Sequence, residues 1–375
     1  MTKRRIKNLC RFGVILALIL ILLSNFLMVG NLLDGIRIRG FYMEPKNSLD
    51  VVTLGASETY TSISPGLLWK DYGFTSYNYS IAGNPISLMK TQIKEVLKHQ
   101  NPRIIVIEVN GAVPHLKDYQ LNDNKMHSYL DNIPWSENKV EAINELVAKK
   151  EQYSYYLPFM KYHSNWKNLD QCVANLYLRV QMQLAGGTKL KGFQTISKYN
   201  DNKLLCKDIL GDTSKSKLTP SGEYYLRDLL SYLREQNINN VLFIRIPHRV
   251  TTKTYGDYKR SNHAGEIIKE YGYDFVNFEQ QREFMNLDNE NDFYNDSHMN
   301  INGQKKFTDY FGKYLTRRYH LNTIEHSEEI VKRWNDAANE TMEALNYTES
   351  LMKENKARAI NEGWRAVRRF NIKKY

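Results

Sequence analysis

Ser57 closes the turn Gly55-Ala56-Ser57, directly behind the apolar stretch Val51-Val52-Thr53-Leu54. A small-residue turn after a β-branched run can hold a hydroxyl at the end of a strand. Such a hydroxyl becomes a nucleophile only when a base takes its proton and a third group orients that base. Far along the chain, Asp296-Ser297-His298 lies in a polar loop that precedes Gly303 and a helical pattern. A D-x-H loop supplies both parts: His298 to face Ser57, and Asp296 to hold the other ring nitrogen. Negative charge developing on an acyl oxygen needs N–H donors. The candidates are the backbone N–H of Ser57, the N–H of Gly83 and the Asn110 carboxamide. Glu58 is expected to be solvated or to touch substrate. Glu108 falls inside an apolar run, where a buried carboxylate needs a partner. His115, His127, His163 and His248 lack an acid two or three residues upstream and are expected to be structural or solvated.

The elements that must position these groups follow from periodicity. Residues 48–57 read as a strand and turn, residues 75–87 as a short strand ending in Gly83-Asn84-Pro85. Ser87 is then a plausible N-cap for an amphipathic helix over 87–100. Pro102–Val109 is a near-continuous apolar run of the kind buried on both faces. Gly222–Ile238 predicts a helix, Asn240–Pro247 a strand, Ala264–Phe278 a helix and strand, and Asn302–Tyr319 a closing helix. Alternating strands and helices predict an α/β fold with a mostly parallel sheet. Its chemistry is expected beyond the carboxyl ends of the strands, where Ser57, Gly83 and Asn110 fall. Residues 113–220 break the alternation and predict a helical, aromatic-rich insertion, either a substrate-facing lid or plain aromatic core.

Three blocks in this order resemble the SGNH/GDSL hydrolase superfamily. They are Gly55-Ala56-Ser57, Asn78 to Gly83 (Asn-x-x-x-x-Gly) and Asp296-Ser297-His298. Two departures are visible. Ala56 replaces the family's aspartate, and Asn110-Gly111-Ala112-Val113 stands where Gly-x-Asn-Asp is usual. The resemblance implies a flavodoxin-like three-layer α/β/α sandwich and Ser–His–Asp catalysis on carboxyl esters, with neither metal nor cofactor. Within the superfamily the chain looks most like membrane-anchored branches that serve O-acetylation of cell-envelope polysaccharides and D-alanylation of teichoic acids. The implied partners are such a polymer and a membrane-bound O-acyltransferase. Transfer and hydrolysis use the same residues and stay open. A binding or assembly module that retains the fold without catalysis is the alternative.

Charge and hydropathy set the location. The chain has 375 residues and a formal net charge of +11, all of it accounted for by residues 1–11 and 353–375. The body is formally neutral and has no basic stripe, which argues against a nucleic-acid partner. The basic start precedes Phe12–Leu33, long enough to cross a bilayer. By the positive-inside tendency its N-terminus is cytoplasmic and the rest of the chain extracytoplasmic. An uncleaved anchor is favoured over a signal peptide, because no A-x-A-like site follows. Domains are therefore expected at 1–33, 34–320 (with the insertion at 113–220) and 321–375. Cys172 and Cys206 are either a disulfide or two thiols, and no cysteine has metal-site spacing. Val331, Trp334, Ala338, Met342 and Leu345 form a helical apolar stripe. The basic end beyond it is either a solvated face or a contact for an anionic surface.

Overall fold

The computed structural model describes residues 2–30, 32–116 and 118–365. The basic end predicted at Arg368, Arg369, Lys373 and Lys374 lies outside the described residues.

Among the described residues, seven strands and fourteen α-helices follow in chain order. Helix α1 (Lys3–Leu27) leads to α2 (Leu32–Phe41), then β1 (Val51–Leu54), α3 (Ser57–Tyr60), α4 (Pro65–Tyr72) and β2 (Ser76–Asn78). Helix α5 (Met89–His99) and β3 (Ile104–Glu108) come next. The insertion carries α6 (Asp123–Leu130), α7 (Glu137–Leu146), α8 (Gln152–Tyr156), α9 (Phe159–Tyr162), α10 (Leu169–Leu184) and the short β4 (Thr195–Ile196). Then come α11 (Pro220–Glu235), β5 (Val241–Arg245), α12 (Tyr255–Glu270), β6 (Asp274–Asn277), α13 (Ile301–Tyr319), α14 (Glu328–Lys353) and β7 (Ala359–Ile360). Strands β4 and β7 pair antiparallel and tie the chain's end to the insertion.

The main sheet is parallel, in the order β2-β1-β3-β5-β6. Its strands are apolar on both faces because helices cover both. Val52, Leu54, Ile105, Ile107 and Phe243 join one core with α5, α11 and α12. Val51, Ile104, Val106, Leu242 and Ile244 join the other with Leu68 of α4 and Phe307, Phe311 and Leu315 of α13. The register pairs Leu54 with Ile107, Glu108 with Ile244, and Arg245 with Asn277. Strands β1, β3, β5 and β6 therefore end at one edge. The chain leaves β1 to one side for β2 and returns to its other side for β3. That reversal makes a crevice beyond the strand ends, and Ser57 follows β1 while Asn110 follows β3.

Side-chain caps fix several helix starts. Asn122, Ser136, Thr219, Asn300 and Ser327 each accept a backbone N–H of the first turn. Ser87 does not cap α5; its hydroxyl donates to Gln120 O at 2.5 Å instead, tying the α5 start to the insertion. The apolar run at the N-terminus is two elements rather than one. Helix α1 has a mean hydropathy of 2.3 over its most apolar stretch and is exposed along it, so it is long and apolar enough to cross a membrane. The chain breaks after Leu27, and Leu32 and Ile36 of α2 turn inward against Leu178 and Met182. Cys172 and Cys206 are separate free thiols. Cys172 packs with Leu27 and Tyr162, while Cys206 bridges to Thr251 in an irregular segment.

Candidate active site

Ser57 opens α3 three residues beyond β1. Gly55 makes that turn possible by absence: a Cβ there would stand 2.8 Å from Glu108 Cβ and 2.0 Å from Thr59 Oγ1. His298 precedes Asn300, the cap of α13, so a capped helix start holds its loop. These two segments meet, and His298 Nε2 lies 2.7 Å from Ser57 Oγ.

The orienting group is not Asp296. Asn295 Oδ1 lies 3.0 Å from His298 Nδ1 and also accepts the backbone N–H groups of Ser297 and His298, each at 2.9 Å. Two backbone donors identify that atom as the carboxamide oxygen. The ring must then donate from Nδ1, which leaves Nε2 bare to receive the Ser57 proton. Asp296 points the other way. Its Oδ1 pairs with the buried Arg249 guanidinium at 2.7 Å, and its Oδ2 accepts from Asn202 of the insertion at 2.7 Å. A buried guanidinium without a partner is costly, and Arg249 claims the charged neighbour. The signal available in the sequence was position: Asn295 stands three residues before the histidine.

Glu58 is buried rather than solvated. Asn110 Nδ2 donates to its Oε1 at 2.5 Å, and its Oε2 lies 3.4 Å from Ser57 Oγ. Burial alone would push this carboxyl up. The neighbouring His248, together with the His298 ring, brings it down to about 2. Glu58 is therefore ionised beside Ser57. It supplies the negative charge next to His298 that sequence reading assigned to Asp296. His298 itself is lowered by burial, partly offset by the Glu58 charge, so the ring is neutral and ready to act as a base.

Asn110 reaches the site in a different capacity from the one expected. Besides holding Glu58, its Oδ1 accepts from Arg245 at 2.6 Å, so it is a bridge between two charged groups. Beneath it lies a buried charge network. Glu108 accepts the Asn110 N–H at 2.9 Å on one oxygen while the other has no hydrogen-bond partner. Burial and then the Glu58 charge push Glu108 up to about 8, so it is neutral at pH 7. His248 donates its backbone N–H to Glu279 and stands 3.8 Å from Glu58 Oε1. Burial and the Arg245 charge oppose protonation of His248, yet Glu279 and Glu58 hold it above the ordinary value.

Gly83 sits at φ 59°, a conformation that favours glycine. Its loop is docked on α2. Asp34 accepts the Ala82 N–H at 3.0 Å, and Arg37, paired with Asp34 at 2.5 Å, donates to Ser80 O at 3.3 Å. The Arg37 guanidinium also covers the Tyr60 ring of α3 at 3.6 Å. A Cβ on Gly83 would lie 3.2 Å from Lys125 Nζ and 3.7 Å from Tyr119 OH. Helix α2 thus joins the Gly83 loop to the helix that begins with Ser57. Among the described residues, no group of three or more His, Cys, Asp or Glu could hold a metal ion. No family profile and no curated protein matches this sequence.

Proposed function

We propose that the chain is a membrane-anchored serine acyltransferase or esterase of the SGNH/GDSL type, working outside the cytoplasm on O-acyl esters of a cell-envelope polymer. The observation that carries this reading is the 2.7 Å contact of His298 Nε2 with Ser57 Oγ across the strand edge. The strand order supports it, because β2-β1-β3-β5-β6 is the flavodoxin-like doubly wound arrangement that the resemblance implies.

In this mechanism the Ser57 hydroxyl passes its proton to Nε2 as its oxygen attacks the acyl carbonyl. Asn295 keeps the Nδ1 proton fixed, and Glu58 balances the imidazolium that forms. The oxyanion takes the N–H of Ser57 and the N–H of Gly83. His298 then returns its proton to the leaving oxygen, and an acyl-enzyme remains on Ser57. A sugar hydroxyl or water, deprotonated by His298, attacks that ester and regenerates the serine. Transfer outward requires an acyl donor delivered across the membrane, which a membrane-bound O-acyltransferase would supply.

A fluorophosphonate probe tests the nucleophile. Wild-type protein is expected to be labelled, and Ser57→Ala and His298→Ala are not. Absence of label on folded wild type would favour the second reading, a binding or assembly module. One observation favours that module: among the described residues, His298 Nδ1 is met by the Asn295 carboxamide and by no carboxylate. An acetyl-ester assay with and without an oligosaccharide acceptor separates transferase from hydrolase.

A further inference from the structure

We infer that the cavity between α2, α6 and α10 binds the anionic, phosphate-bearing head group of a membrane lipid, one negative charge to one site. The cavity has a volume of about 360 Å³. Arg39, Lys125, Lys161 and Arg179 line it together with His127, and no aspartate or glutamate does. Four cations line the hollow; the nearest carboxylates stand behind its wall, Asp123 on Lys161 and Asp131 on His127 and Tyr162, which leaves the arginines and Lys125 to meet an anion.

Their partners reinforce the point. Lys161 is paired with Asp123 at 3.0 Å. Among the described residues, no carboxylate lies within ion-pair distance of Arg39, Arg179 or Lys125. Among the described residues, Arg39 donates to Met28 Sδ, at 3.9 Å. Arg179 donates to the carbonyl and side chain of Asn25. Burial and then the charge of Arg179 pull Arg39 down to about 9, although Asp131 acts in the other direction. Two desolvated guanidiniums facing one another are the arrangement that a phosphodiester oxygen relieves. Asn124, Ser128 and Asn132 add neutral hydrogen-bonding groups to the wall.

The position of the cavity chooses a lipid over a free anion. Met28 and Gly30, immediately beyond α1, form part of its wall. Helix α10 runs across that exit. Asn175 donates to Met28 O at 3.0 Å, Asn165 to Leu27 O at 2.9 Å, and Arg179 to Asn25 O at 2.8 Å. The same helix leaves Leu169, Val173, Leu176, Val180 and Leu184 exposed at steps of 4, 3, 4 and 4. That exposed apolar stripe lies on a helix held against the exit of α1, as suits an interfacial helix. At the far wall, Lys125 reaches the Gly83 loop, so a bound head group lies next to the candidate active site.

The inference rests on α1 as a membrane anchor and is independent of chemistry at Ser57. Full-length protein in detergent micelles is titrated calorimetrically with dihexanoyl-phosphatidylglycerol, dihexanoyl-phosphatidylcholine, glycerol 3-phosphate and inorganic phosphate. Phosphatidylglycerol is expected to bind saturably and at least about tenfold more tightly than the other three. Arg39→Gln with Arg179→Gln should weaken it by about tenfold or more, the loss of charge-assisted bonds. Lys125→Gln, which makes no contact with the α1 exit, should weaken it as well and guards against a folding artefact. Ser57→Ala should bind as wild type. Equal binding of the two lipids, phosphate binding as tight as lipid binding, or wild-type affinity in folded variants would each overturn the assignment. Failure of the anchor itself shows separately, as release of the protein from membranes by alkaline carbonate.

Discussion

Asn295 and Asp296 are neighbours with different tasks, and substitution separates them. Asn295→Ala removes the acceptor for His298 Nδ1, so kcat on an acetyl ester should fall by about 10²–10⁴ while the fold persists. Asp296→Ala leaves the buried Arg249 with only the exposed Glu290 carboxylate at 3.6 Å and the Leu204 carbonyl, so it should lower stability by about 1–3 kcal/mol, read as a drop in unfolding temperature. The pH profile belongs to the same scale. Burial holds His298 below 6.5, so the base form survives below that pH and the acid limb of kcat/KM should lie under 6.5. The Glu58 charge raises the His298 value, and Glu58→Gln should move that limb to still lower pH while reducing kcat. Ser57 and His298 were legible in the sequence because residue type and spacing carry them. The role of Asn295 was not, since a carboxamide beside a carboxylate reads as the weaker candidate. The burial of Glu58 was likewise hidden, because it depends on Asn110 and His248 from other strands.

Strand β3 ends on a carboxyl that the fold keeps neutral. Glu108 rises from 4.5 unfolded to about 8 folded, so the folded state binds the extra proton between those values. Stability from this group is therefore present at low pH and lost as pH climbs from about 4.5 through about 8. Glu108→Gln keeps the neutral shape and should flatten that loss, making the variant the more stable protein at pH 8.5 in chemical unfolding. The Gly83 loop gives a second prediction. Alanine at φ 59°, pressed against Lys125, should cost about 1 kcal/mol. If its N–H receives the oxyanion, Gly83→Ala should reduce kcat by more than its stability loss explains, measured on folded protein. The main strands were legible because their apolar runs need helices on both faces. The end of α1 was not: Leu32 and Leu33 are as apolar as a lipid-facing pair, and hydropathy does not distinguish lipid from the packed α10 surface.

Across the whole molecule, the apolar helix α1 is tied to the body at its exit, where Asn165, Asn175 and Arg179 donate to the carbonyls of Leu27, Met28 and Asn25. Protease added to intact cells is expected to degrade the body after residue 34 and to spare the basic N-terminal segment. Protection of the body instead would reverse the proposed orientation. Toward the other end of the chain, α14 lays Trp334 into the core beside Trp69 of α4; Ala338 and Leu345 of the predicted stripe are buried with it, Met342 is half-buried, and Val331 is exposed. By itself the sequence determined the alternation of strands and helices, the apolar span, and a serine and a histidine at one strand edge. These are local properties of side-chain type and period. Tertiary structure alone decided which neighbour faces the imidazole, which carboxylates lie buried, and where cations gather without acids. Such choices are set by partners distant in the chain: buried Arg249 draws Asp296 away from His298, and Asn175 and Arg179 of α10 satisfy carbonyls at the exit of α1, because buried polar and charged groups need partners that local sequence does not supply.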